Sequence, residues 1–172
     1  MSEGRLHPAQ LLLALPGVLT LLLVLMETVP IGAPLLGPVL PSLTLISVFV
    51  WSTQRPDLMP HWLAFSIGLI QDLVIGGPLG LNALLLLVIQ GVCTSQRRFL
   101  AAGRPFLLVW LGFAIVALPA ALAQWIIACI YFTAVLPITD SLIQAALNVA
   151  LFPVAAAPLM FLAQRLARGL PA

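Results

Sequence analysis

Six long apolar runs separated by short polar breaks account for most of the chain. The runs cover residues 9–28, 39–53, 61–75, 79–93, 106–136 and 141–166. A membrane-crossing helix needs about 20 apolar residues, with a range of about 17–25. Three runs are shorter than this, and the fifth is long enough to be tilted, or to be kinked or broken at Pro119. The pattern predicts an all-α bundle of six transmembrane helices that forms a single transmembrane domain over residues 1–172.

Composition excludes the main alternatives to a membrane protein. Apolar residues make up 62% of the chain and charged residues 7%, whereas soluble domains average about 45–50% and about 25%. The mean hydropathy is +1.18, which a core of this size cannot hide, because a domain of about 150 residues still exposes roughly a third of its unfolded surface. A soluble domain, a disordered tail and a secreted disulfide scaffold are therefore excluded.

The arginines predict the orientation of the spans. The chain contains no lysine, and its seven arginines are Arg5, Arg55, Arg97, Arg98, Arg104, Arg165 and Arg168. With six spans and a cytoplasmic N-terminus, all seven lie on one side of the membrane, as the positive-inside rule requires. The first run ends in Glu27, Thr28 and Val29 without a small-residue cleavage site, so we interpret it as a retained helix rather than a signal peptide. Both termini are predicted to be cytoplasmic.

Signatures of catalysis, metal binding and nucleic-acid binding are missing from the sequence. The net charge of +2 is too small and too scattered for a nucleic-acid surface. Cys93 and Cys129 lie in different apolar runs without metal-ligand spacing, and we expect them to be inert buried thiols. The two histidines stand apart from the acids of the spans, and no HExxH, GxSxG or glycine-rich phosphate motif is present. We expect no catalytic residue, no metal and no cofactor.

Asp72 is the strongest candidate for a functional residue. It lies near the outer end of the third run, where ionisable groups are costly and suggest function. Every arginine lies on the opposite side, so its own chain offers no cation at this depth. A turn around Pro78 brings Asn82 back to a similar depth, which makes an Asp72–Asn82 contact plausible. Three interpretations stay open: an interfacial carboxylate in headgroup water, a structural or partner-facing group, and a proton carrier.

Amide and acidic side chains recur at helical spacing in the later runs. They are Asn82, Gln90, Gln124, Asp140, Gln144 and Asn148. The last three are spaced i, i+4, i+8 and share one helix face. Such side chains usually hydrogen-bond helices together, at about 0.6 kcal/mol per bond. They could instead line a pocket for a small polar molecule.

The turn from Gly76 to Gly80 joins two short spans of roughly 15 residues, or about 22 Å each, against a hydrocarbon core of about 30 Å. We therefore expect the turn to dip below the headgroups, where its backbone groups must be satisfied by protein. Glycine would serve where φ is positive or another backbone comes close, and Asp72 could accept hydrogen bonds from freed N–H groups. A plain tight surface loop is the alternative.

The stretch from Pro41 to Ala83 carries a distinctive motif. It opens with Pro41-Ser42-Leu43 and continues with Arg55-Pro56-Asp57. Its most recognisable piece is a Gly-Leu-x-x-Asp span end, a glycine-rich turn with proline, and Gly-Leu-x-Ala. These places are filled by Gly68, Leu69, Asp72, Gly76, Pro78, Gly80, Leu81 and Ala83. In these features the stretch resembles the MreD family of bacterial rod shape-determining proteins, whereas residues 93–172 agree with that family only in length and span pattern.

The resemblance implies a role in the elongation machinery of rod-shaped bacteria, in the inner membrane. The family works beside MreC and, through it, the RodA glycosyltransferase, a penicillin-binding transpeptidase and the MreB cytoskeleton, without known catalytic activity. In this chain, the residues expected to serve partner binding or structure are Asp72, Gly76, Pro78, Gly80, Asn82, Arg55 and Pro56. The fold of the MreD family is similar to that of the substrate-binding subunits of energy-coupling-factor vitamin transporters. The alternative function is therefore that of a vitamin-binding membrane subunit. Membrane lipids are also expected to contact the protein, and nucleic acid is not expected as a partner.

Overall fold

The computed structural model describes residues 8–27, 41–96 and 105–169, with side chains from 14–27, 41–96 and 105–166. This part of the chain contains helices and no strand. They are α1 (Pro8–Glu27), α2 (Leu43–Gln54), α3 (His61–Ile75), α4 (Leu81–Ser95), α5 (Phe106–Phe132) and α6 (Ile138–Gly169), with a 3-10 turn at Pro56–Leu58. Each helix coincides with one apolar run to within a few residues, so the prediction of an all-α fold is confirmed.

Prolines inside the two longest helices do not end them. α5 continues through Pro119 without a break, and α6 continues through Pro153 and Pro158. A proline has no N–H for the carbonyl four residues earlier, which for Pro153 is that of Val149. The Trp110 indole N–H of α5 donates to this Val149 carbonyl oxygen over 2.8 Å. The neighbouring helix thereby satisfies the acceptor that the proline leaves free.

α2 is the central helix of the bundle. Every residue from Thr44 to Gln54 is buried, and α2 packs against α1, α4 and α6. Its Phe49 ring lies 5.2 Å from Phe113 of α5 and 5.7 Å from Phe152 of α6, both edge-to-face, and the latter two rings stack at 4.4 Å. This aromatic group joins three helices in one apolar core.

The bundle has two chemically distinct ends. α1, α3 and α5 finish at the end where α2, α4 and α6 begin, as hydrogen bonds between these helix ends show. This end carries Glu27, Asp72 and Asp140, and we call it the carboxylate end. The opposite end carries Arg55 and Arg165, and we call it the arginine end. Arg5, Arg97, Arg98 and Arg104, together with the side chain of Arg168, lie outside the described residues.

Two of the described helices are long and apolar enough to cross a membrane. These are Phe106–Phe132 and the stretch Ile138–Leu166 of α6. The other apolar stretches with described side chains are shorter: Ala14–Glu27, Leu43–Gln54, His61–Ile75 and Leu81–Ser95. The six-span arrangement and the cytoplasmic termini stay predictions.

Candidate functional site

The α3–α4 hairpin is built on a close contact between small residues. A Cβ added to Gly68 would lie 2.5 Å from the Ala83 Cα and 2.7 Å from the Asn82 carbonyl oxygen. A side chain at position 68 would clash with α4. Glycine at this position therefore allows the backbones of α3 and α4 to approach each other so closely. Small residues allow this kind of approach between helices in membranes.

Asp72 lies one helical turn beyond this contact and caps the beginning of α4. The residue is 1% exposed. One carboxylate oxygen accepts from the backbone N–H of Gly80 (2.8 Å) and Ala83 (3.4 Å), and the other accepts from the Asn82 backbone N–H (3.1 Å). The first N–H groups of a helix have no partner within it, and a negative charge is favourable at this end of the helix dipole. Because the N-cap residue Gly80 has no side chain, the preceding helix supplies the cap.

Two glycines give the turn its backbone path. Gly76 ends α3 with φ 76°, donating its N–H to the Asp72 carbonyl oxygen over 3.0 Å, and Gly80 precedes α4 with φ 93°. Between them the Pro78 carbonyl accepts from the Leu81 N–H at 3.2 Å. A Cβ at either glycine would meet nothing within 4 Å. Glycine is therefore favoured at both positions by the left-handed conformation and not by space.

A second carboxylate, which the sequence analysis did not single out, repeats this arrangement. Glu27 at the end of α1 accepts from the Thr44 backbone N–H in the first turn of α2 (2.6 Å) and from the Gln71 side-chain amide of α3 (2.8 Å). The signal was present in the sequence: Glu27 and Asp72 each stand at the end of an apolar run, before a break rich in glycine and proline.

The cap of α2 is completed by its own N-cap residue and by α6. The Ser42 hydroxyl oxygen accepts from the Leu45 N–H at 3.4 Å, and the Ser42 N–H donates to the Asn148 side-chain oxygen at 2.6 Å. Asn148 belongs to the predicted row of Asp140, Gln144 and Asn148. The row divides in the structure: Asp140 is exposed and accepts from the Thr139 hydroxyl at 3.4 Å, while Asn148 is buried.

Polar side chains from five helices line a cavity of about 410 Å³ at the carboxylate end. They are Glu27 of α1, Gln71 of α3, Asn82 of α4, Gln124 of α5, and Gln144 and Asn148 of α6. The Gln124 amide donates to the Asn82 side-chain oxygen at 3.5 Å. Gln90, which shares helical spacing with Asn82, lies toward the other end and donates to the Met59 carbonyl oxygen at 2.9 Å.

The predicted site residues therefore occupy two separate places. Asp72, Gly76, Pro78, Gly80 and Asn82 lie together in the α3–α4 hairpin at the carboxylate end. Arg55 and Pro56 lie at the arginine end, where Pro56 begins the 3-10 turn. The Arg55 Nε is 3.7 Å from a carboxylate oxygen of Asp57, whose side chain is 68% exposed, and such surface pairs contribute little stability. A functional role for these residues stays a prediction.

Within the described residues, no group of three or more His, Cys, Asp or Glu side chains is placed to hold a metal ion. Cys93 is buried and Cys129 half-buried, and neither forms a disulfide. The Cys129 sulfur accepts from the Leu136 N–H at 3.4 Å, and the Trp125 indole donates to the Leu136 carbonyl at 3.0 Å. Cys129 thus contributes to the turn between α5 and α6.

Comparison with known proteins identifies the family. A family model described as rod shape-determining protein MreD matches residues 9–165. Neither the curated proteins nor the solved structures gave a match. The matched range contains the whole α3–α4 hairpin and extends through the C-terminal half, where individual residues had carried no resemblance. The chain therefore belongs to the MreD family of rod shape-determining proteins.

Proposed function

We propose that this protein is a non-catalytic, multi-pass component of the bacterial inner membrane that maintains rod shape by assembling or regulating lateral peptidoglycan synthesis. Its partners in this proposal are MreC and, through it, RodA, a penicillin-binding transpeptidase and the MreB cytoskeleton. Family membership over residues 9–165 supports the role in cell shape.

The burial and the hydrogen bonds of Asp72 are the observations that best support a non-catalytic role. A carboxylate that acts as acid, base or nucleophile must reach its substrate within hydrogen-bond distance. Asp72 is 1% exposed, and its carboxylate accepts hydrogen bonds from three backbone N–H groups of its own chain. Its hydrogen-bonding capacity stabilises the hairpin, which supports a structural role for the family motif.

Outward-facing apolar side chains leave ample surface for other membrane components. Ile115 on α5 is 71% exposed, and Leu73 and Leu79 beside the hairpin turn are also exposed. In a soluble protein, many exposed apolar side chains next to one another would cause aggregation. In this proposal it contacts lipid and the membrane helices of partner proteins.

The proposed topology has six spans, both termini in the cytoplasm and the carboxylate end at the periplasmic face. α2 has 12 residues and α3 and α4 have 15 each, or about 18 and 22 Å at 1.5 Å per residue. These helices are shorter than a hydrocarbon core of about 30 Å, so their ends are poorly hydrated. Caps from Glu27 and Asp72 satisfy the N–H groups that water would not reach.

The test is co-purification from native membranes. A tagged chain should bring down MreC, RodA and the transpeptidase in amounts well above those recovered with a tagged, unrelated multi-pass protein. Recovery of an ATPase module and a vitamin, without the cell-wall synthases, would replace this proposal with the vitamin-transporter alternative.

A further inference from the structure

The cavity at the carboxylate end is larger than helix–helix hydrogen bonding requires. Its volume of about 410 Å³ compares with about 30 Å³ for one water in the liquid, and it lies within the range of about 300–1,000 Å³ that is typical of small-molecule pockets. Side chains that only joined helices would close the space between them. Here the amides of four helices and the Glu27 carboxylate surround an open space.

The lining determines which ligands fit. Carboxamides both donate and accept hydrogen bonds, and Gln71, Asn82, Gln124, Gln144 and Asn148 supply five of them. Glu27 adds a carboxylate that Gln71 and the Thr44 N–H hold in place. The lining residues include no arginine or histidine, and the chain has no lysine. Nothing among them would neutralise an anion, which would face the Glu27 carboxylate in a low-dielectric site.

Apolar residues form the remaining walls. Leu45 and Ala117, both buried, and Leu85, which packs against the same core, line the cavity beside the amides. Pockets of this kind combine apolar walls with a few convergent polar groups that fix orientation. We propose that the cavity binds a small, uncharged or cationic molecule rich in amine, amide or hydroxyl groups, and that it excludes anions. A role in cell shape does not require this ligand, so the two proposals can fail separately.

The first experiment looks for a retained ligand. The full chain, purified from its own membranes in lipid nanodiscs, is denatured and the released small molecules are identified by mass spectrometry. We expect an amine- or amide-bearing molecule from the wild type and at least a tenfold loss with Ala121→Trp, which fills the cavity. Ile115→Trp on the same helix, at a 71% exposed position, should retain the molecule. Equal recovery from all three proteins, or from none, would overturn the proposal.

The second experiment tests charge selectivity with three probes that share a pyranose ring. Calorimetric titration with glucosamine, N-acetylglucosamine and glucuronate presents a cation, a neutral molecule and an anion. We expect glucosamine to bind, N-acetylglucosamine to bind more weakly and glucuronate not to bind. Glu27→Gln should reduce glucosamine affinity at least tenfold and N-acetylglucosamine affinity by a clearly smaller factor, because only glucosamine loses an ion pair. Binding of glucuronate as tight as that of glucosamine, or binding of no probe, would contradict the proposal.

Two controls separate the possible failures. Ala121→Leu, a smaller substitution, replaces Ala121→Trp if the latter has a lowered melting temperature. Each variant is also scored for rod-shape complementation. Loss of binding with normal rods leaves the proposed function intact, whereas normal binding with round cells leaves the ligand site intact.

Discussion

At the scale of single residues, two carboxylates stabilise the fold by capping helices that follow them in the chain. Asp72 accepts three backbone N–H groups of the turn and α4, and Glu27 accepts the Thr44 N–H of α2. The cost of losing such a cap is high because the N–H groups it leaves are buried and unpaired. Acidic residues inside apolar helices can thus be structural as readily as catalytic.

Replacing Asp72 by alanine should impair the protein more than replacing Asp140. Loss of the cap leaves buried N–H groups unpaired, which costs about 1–3 kcal/mol, so we expect Asp72→Ala to be destabilised by about this amount. Asp140 is exposed and bonded only to its neighbour Thr139. The measurement is rod-shape complementation at matched protein levels. If Asp72→Ala restores rods as well as wild type, the cap that Asp72 provides is dispensable for function.

Gly80→Val should destabilise the hairpin turn, whereas Gly77→Val should not. Gly80 has φ 93°, and Gly77 is not among the described glycines with positive φ. A β-branched residue in the left-handed region costs about 1–3 kcal/mol. Neither position has an atom within 4 Å of an added Cβ, so the pair separates conformation from crowding. Thermal unfolding in detergent measures the difference, and equal melting temperatures for the two variants would rule out backbone strain as the reason for Gly80.

At the scale of secondary-structure elements, the α3–α4 hairpin joins three features of the family motif. Gly68 allows α3 and α4 to approach, Asp72 caps α4, and the two glycines of the turn reverse the chain between them. Each feature depends on the others, because the cap reaches α4 only if the helices lie close together. The hairpin therefore responds to a change at Gly68 as a unit.

Gly68→Ala should lower the melting temperature, whereas Gly91→Ala should leave it unchanged or raise it. The added Cβ at Gly68 would lie 2.5–2.7 Å from three backbone atoms of α4, and overpacking of this kind costs about 1–3 kcal/mol. At Gly91, within α4, the Cβ meets nothing within 4 Å, and alanine is the better helix former by about 0.8–1 kcal/mol. A Gly68→Ala protein as stable as wild type would show that the helices can separate freely.

Much of this element-level structure could be predicted from the sequence. Apolar runs located the six helices of the described residues, and the glycine-rich turn indicated positive φ near Asp72. Glu27 was missed because a single acid at the end of an apolar run also fits an interfacial residue. The amide rows allowed two interpretations, and a cavity was one of them. Which faces of five helices converge depends on packing between residues far apart in the sequence, so the sequence pattern could not decide between the two.

At the scale of the whole molecule, the acids of the helix ends and the two arginines with described side chains lie at opposite ends of the bundle. Glu27, Asp72 and Asp140 mark one end, and Arg55 and Arg165 mark the other. This separation is consistent with the positive-inside rule for six spans. It also places the cavity on the side away from the described arginines, which is periplasmic in the proposed topology.

Cysteine labelling tests that topology. In a background without Cys93 and Cys129, Ile138→Cys at the carboxylate end should react with an impermeant thiol reagent added to intact spheroplasts. Asp57→Cys and Ser95→Cys, both at exposed positions of the arginine end, should react only after the membrane is opened. Labelling of Ser95→Cys from outside would contradict the six-span arrangement.

The central claim, that this chain maintains rod shape, is tested most directly by depletion in its rod-shaped host. The length-to-width ratio of the cells is measured as the protein is withdrawn and then restored from a plasmid. Our account predicts that the ratio falls toward one as the cells become round, and that wild-type protein restores it. Cells that keep their ratio after complete depletion, or that are rescued by a vitamin supplement, would contradict it.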